Sequence, residues 1–191
     1  MRKLLLPLFA LMLFGLTACG ESTNEMEVRS NWFKKQELNQ ENALKVVDNF
    51  FEARTFKITG FKLEDGGVIQ VRLDVGPAQD HRALLLRTAA TSYTFTRMLF
   101  SHPDVQSITL EMHGTLEQFD KLPQRFHLIT NSLTRDQANE IHWNKMEEEV
   151  TQDHAYDPVL SQFEVLQFNP VLDEFIDTRL YRKIYGTAPK D

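Results

Sequence analysis

The stretch Gly67–Pro77, GVIQVRLDVGP, decides the fold. Ile69, Val71, Leu73 and Val75 alternate with Gln70, Arg72 and Asp74, so an extended chain has one apolar and one polar face. Alternation of this length marks a half-buried strand, here ended by Gly76-Pro77. Upstream, Glu64-Asp65-Gly66-Gly67 makes a hairpin turn, because Asp-Gly and Gly-Gly tolerate positive φ. The strand before it, Thr55–Leu63, carries Phe56 and Ile58 in one phase and Phe61 and Leu63 in the other. That slip predicts a β-bulge at Thr59-Gly60.

Downstream, Asp80 caps a long helix over about His81–Ser101. Leu84, Leu85, Thr88, Ser92, Phe95 and Leu99 recur there at three- and four-residue spacing, and small Ala89, Ala90 and Ser92 allow close approach to a sheet. His102-Pro103 stops it. A third strand follows, with Ile108, Leu110 and Met112 inward and Thr109, Glu111 and His113 outward. After a loop with a helical turn through Leu116 and Phe119, a fourth strand runs from about Arg125 to Asn131.

Working outward to the ends, Asn39 is a plausible N-cap for a first helix whose stripe is Leu44, Val47, Phe51 and Arg54, with Phe50 adjoining. Thr134 with Gln137 fits a capping box for a helix through Ile141 and Met146. Asp157-Pro158 and Asn169-Pro170 look like helix starts, with apolar stripes Leu160, Phe163, Leu166 and then Leu172, Phe175, Ile176, Leu180. The expected class is α+β: a four-stranded antiparallel sheet with helices packed on one face. The expected order is α-β-β-α-β-β-α followed by C-terminal helices. A Rossmann-type parallel sheet needs strand–helix alternation throughout, which is not the pattern.

The N-terminal segment carries the one specific motif. Arg2-Lys3 precede a run from Leu4 to Leu16 that is apolar except for Pro7 and Gly15. At 1.5 Å per helical residue it spans roughly 20 Å, short of a hydrocarbon core of about 30 Å, and suits the apolar region of a signal peptide. The run ends in Leu16-Thr17-Ala18-Cys19, and Cys19 is the single cysteine of the chain, so no intrachain disulfide can form.

This tetrapeptide resembles the lipobox of bacterial lipoproteins. The resemblance implies cleavage between Ala18 and Cys19, a diacylglyceryl group on the Cys19 sulfur, and acylation of the new amino terminus. Two or three acyl chains anchor stably where one does not. Gly20, in place of the aspartate that favours inner-membrane retention, implies an outer-membrane lipoprotein facing the periplasm; in a Gram-positive host the same anchor leaves it on the outer face of the cytoplasmic membrane. The expected organisation is a signal peptide at 1–18, a lipidated N-terminus and flexible tether at 19–38, and one globular domain at 39–191. Within the tether, Trp32-Phe33 beside Lys34-Lys35 could meet lipid headgroups or pack on the domain.

The chain carries 21 basic and 27 acidic residues, net −6, and loses two more positive charges if Arg2 and Lys3 are removed. With no dense basic stripe, nucleic acid is excluded as the expected partner. Glu147-Glu148-Glu149 reads as a solvated helix face.

Candidate chemistry is sparse. No pair of the six histidines is spaced i, i+3 or i, i+4, so helix-borne metal motifs are absent. Glu111 and His113 on one strand face, with His127 on the next strand, could converge on the open side of the sheet. They are the candidate set for a divalent ion or a hydrolytic site; their plain reading is outward polar residues. Asp153, His154 and Asp157 form a second polar knot. There is no nucleophile elbow and no phosphate-cradling glycine loop. Tyr93 and Arg97 at i, i+4 form a stacking pair. Phe163, Phe168 and Phe175 could line a groove for an apolar ligand, or fill the core.

The functional expectation is a non-enzymatic envelope lipoprotein, without a cofactor, whose domain binds another envelope protein in an assembly or accessory role. The alternatives are a metal-dependent hydrolase using Glu111, His113 and His127, and a carrier of lipid or another small apolar ligand.

Overall fold

A computed structural model describes residues 18–48, 56–117 and 122–187. The signal run, Phe50, Phe51, Arg54, Phe119 and the Cys19 side chain lie outside the described residues. The elements in chain order are helices α1 (Ala18–Phe33) and α2 (Gln40–Val47), strands β1 (Lys57–Glu64) and β2 (Val68–Ala78), and helix α3 (His81–Leu99). Strands β3 (Ser107–Leu116) and β4 (Gln124–Thr134) follow. Then come helices α4 (Arg135–Glu140), α5 (Trp143–Thr151) and α6 (Asp157–Leu160), strand β5 (Glu164–Phe168), a 3-10 helix Pro170–Phe175, and α7 (Thr178–Tyr185). Among the described residues no helix is long and apolar enough to cross a membrane.

The protein is a mixed α+β fold around one five-stranded sheet, with spatial order β1-β2-β3-β4-β5. Two features correct the expected four-stranded antiparallel sheet. First, β2 and β3 pair in parallel, Ile69 opposite Ile108 and Leu73 opposite Met112. The connection that allows this is α3: it carries the chain back along the sheet, so the next strand can start at the same end and run in the same direction. The other three pairings are antiparallel. Second, Leu160, Phe163 and Leu166 do not form a helical stripe. The helix ends after one turn at Leu160, and Glu164–Phe168 adds the fifth strand beside β4.

The core lies between the sheet and α3. Ile69, Val71, Leu73 and Val75 of β2 and Ile108, Leu110 and Met112 of β3 are buried, as are Leu84, Leu85, Thr88, Ser92, Phe95 and Leu99 of α3. Asp80 caps α3 by accepting the Ala83 amide at 2.8 Å. The bulge in β1 falls between Ile58 and Gly60, as its sequence phase requires. It brings Ile58, Phe61 and Leu63 opposite the inward residues Leu73, Val71 and Ile69, so one extra residue reconciles both phases with one core face. Strand β2 does not end at Gly76-Pro77; it bends there, with Gly76 at φ 76, and resumes pairing through Ala78.

The N-terminal stretch read as a tether is helical from Ala18 to Phe33. Among its described side chains Met26 and Phe33, two turns apart, are buried, too few to give the sequence an amphipathic period. Phe33 packs on the ring of His102 at 4.9 Å, and Trp32 lies half-buried under the Lys45 ammonium at 5.3 Å. The aromatic pair therefore packs on the domain.

The helix begun at Thr134 has both hydrogen bonds of its capping box, but breaks at Ile141-His142 into α4 and α5. Asp157 does not cap its own helix; its carboxylate accepts the Asp177 amide at 2.9 Å and ties α6 to α7. Burial pushes this carboxyl above its ordinary range.

Candidate functional site

The face of the sheet away from α3 carries the polar residues. Register dictates which of them meet. Glu111 lies opposite Arg72 on one side and Thr130 on the other, and His113 lies opposite Asp74 and His127. Cross-strand neighbours on one face stand within side-chain reach, and they pair here. Arg72 Nε donates to Glu111 Oε2 at 3.0 Å, and His113 Nε2 donates to the other carboxylate oxygen at 2.8 Å. The rings of His113 and His127 meet edge to face, with centroids 5.5 Å apart. His127 Nε2 lies 2.9 Å from the Thr130 hydroxyl. Beside them Arg125 Nε donates to Asp74 Oδ2 at 2.9 Å.

A second bulge places His127. Met112 pairs with Ile129 but His113 pairs with His127, so Leu128 is the extra residue of β4. Both Leu128 and Ile129 turn into the core, so His127 before them and Thr130 after them both stay on the open face. Asn169 satisfies the carbonyls this bulge frees. Its side-chain amide donates to His127 O at 2.8 Å and its backbone N–H to Leu128 O at 3.0 Å.

The structure thus brings Glu111, His113 and His127 onto one surface, as the strand phases predict, with both carboxylate oxygens and the Nε2 of each imidazole already engaged. The carboxylate bridges His113 and Arg72. These contacts, the His113 hydrogen bond foremost, hold the Glu111 carboxyl below the usual glutamate range against the opposing effect of its partial burial. Burial pushes the His127 imidazole down, and its electrostatic interaction with the His113 imidazole adds to this while Glu111 opposes it. Among the described residues no group of three His, Cys, Asp or Glu side chains is arranged to hold a metal ion. What the arrangement offers is a ladder of alternating charge with two imidazoles, suited to hydrogen-bonding a polar surface. A shallow trough of about 290 Å³ runs beside it, where Gly60 leaves the β1 edge of the face open between Lys62 and Arg72.

The other candidates separate. Asp153 and His154 are exposed, His154 at φ 50, while Asp157 is engaged with Asp177, so the three do not form one site. Phe163 and Phe168 are buried in the core, and Phe175 stacks on His81 at 4.6 Å; they do not line a common groove. Arg97 stacks on Tyr93 at 5.6 Å, bonds its hydroxyl, and pairs with Glu147 at 2.7 Å.

Arg72, Asp74, Arg125 and Thr130 were not singled out from sequence as members of a site. The parallel register of β2 on β3 is what places Arg72 and Asp74 there. The β4 bulge had a visible signal, since Phe126 and Leu128 alternate in one phase and Ile129, Asn131 and Leu133 in the other. Comparison of the chain with protein-family models, with curated proteins and with solved structures gives no match.

Proposed function

We propose that this protein is an envelope lipoprotein, anchored through Cys19 to the outer membrane, whose domain binds another envelope protein on the periplasmic side. The motif Leu16-Thr17-Ala18-Cys19 after its basic and apolar run carries this reading. The open face of the sheet supports the binding role. Its ion pairs are mutually satisfied and half-exposed, so each adds little to stability, about 0–1 kcal/mol, while together they present a patterned polar surface.

The test is Cys19→Ser in the full chain. The wild type should incorporate radiolabelled fatty acid and sediment with membranes, and the variant should lose the label and keep the mobility of the uncleaved precursor. Unchanged labelling and fractionation would sink the anchor. A photo-crosslinker at Thr109 of the open face should then give a discrete protein adduct in cells, and one at exposed Glu140 should not.

A further inference from the structure

A cleft of about 430 Å³ opens between α1, the C-terminal end of α3, α4 and the start of α5, away from the open sheet face. Its volume falls within the range of small-molecule sites, about 300–1,000 Å³. The walls have two characters. Met26, Phe100 and Trp143 supply apolar surface, and Lys34, Arg97 and Arg135 bring three cations against the one lining carboxylate, Glu27.

These cations are not equally neutralised. Arg97 is paired with Glu147. Arg135 instead binds the connection between α3 and β3 through carbonyls alone: Nε donates to Val105 O at 2.9 Å, Nη1 to Phe100 O at 2.7 Å, and Nη2 to the His102 carbonyl. Its guanidinium also lies 4.9 Å from the Phe100 ring centroid. A guanidinium has five N–H donors, so each terminal nitrogen keeps one beyond those bonds. Among the described residues neither Arg135 nor Lys34 makes an ion pair. A half-buried guanidinium that makes no ion pair among the described residues, with the Asp104 carboxylate acting on it only from a distance, stands beside a cavity with an aromatic wall and is complementary to an anion that also has an apolar part.

We propose that this cleft binds a small organic anion bearing an apolar group, its acid group held by Arg135, Arg97 and Lys34 and its apolar part laid on Met26, Phe100 and Trp143. The site shares no residue with the open sheet face and does not depend on the anchor.

The test uses the full chain in phosphatidylcholine nanodiscs, titrated with 4-phenylbutyrate, with its uncharged amide and with inorganic phosphate, and read by ligand-observed NMR against empty nanodiscs. The acid should bind saturably, at least about tenfold tighter than the amide or phosphate. Lys34→Glu, at an exposed position outside the core, should weaken it about tenfold with the melting temperature unchanged, and Arg97→Gln should weaken it too. Absence of saturable binding overturns the proposal. So does equal affinity for acid and amide, or acid binding that both variants leave intact.

Discussion

His127 is the residue whose protonation reports on the open face. Its depressed pKa means that the fold favours the neutral ring, so its contribution to stability is complete above the ordinary value of 6.5 and is lost as pH falls through the folded-state midpoint. The Glu111 carboxyl is likewise depressed, and its contribution is lost at lower pH, beneath the usual glutamate range. In an NMR titration the His127 midpoint should lie below 6.5; His113→Phe should move it upward, yet leave it below 6.5 because burial remains. A midpoint at or above 6.5 in the wild type would contradict the arrangement. Asn131 offers a second test at this scale. It is fully buried, its amide donates to Ser92 Oγ at 3.1 Å, and its Oδ1 has no hydrogen-bond partner among the described residues. Asn131→Asp, which would place an uncompensated charge in the core, should cost about 3 kcal/mol or more in denaturant unfolding at pH 7, and much less once the acid is protonated.

Among the elements, the turn between β1 and β2 shows how a local feature holds a distant one. Gly66 and Gly67 both have positive φ, near 78° and 77°. A Cβ on Gly66 would meet open space, whereas one on Gly67 would run into the backbone oxygen of Asp104. The Gly67 carbonyl also accepts the Gln106 amide at 2.8 Å, docking the turn on the loop before β3. Gly66→Ala should therefore cost about 1 kcal/mol, the price of left-handed backbone, and Gly67→Ala about 3 kcal/mol, measured by thermal unfolding. Helix α1 is a separate case. Phe33 is fully buried and, with Met26, roots α1 in the core, so Phe33→Ala should lose about 3–5 kcal/mol and expose α1 to limited proteolysis. Elements with a regular period or a paired cap were legible in the sequence: β2, β3, α3 behind Asp80, and the capping box at Thr134. Helix α1 was not, because among its described side chains the two buried ones, Met26 and Phe33, make no period. Strand β5 was not, because Val165, Leu166 and Phe168 lack strict alternation and follow a short helical turn that shares their apolar spacing.

For the molecule as a whole, pairing rather than propensity escaped the sequence. Strand phases correctly put Glu111, His113 and His127 on one surface, but their partners Arg72 and Asp74 come from the parallel join of β2 to β3, which depends on which strands lie side by side. Hydrogen exchange should reflect that order, with Leu73, Leu110 and Met112 of the central strands slowest and Leu166 of the edge strand fast. The parallel join has a kinetic consequence as well. On either side of it lies an antiparallel pair linked by a short connection, β1–β2 and β3–β4, and each can zip from its own turn. The seam between them cannot close until α3 has spanned the gap, so its loop-closure entropy falls late. Truncating Ile69 or Ile108 at the seam to valine should speed unfolding and barely slow refolding, and this sheet would assemble as two prefabricated ribbons riveted last along their common border.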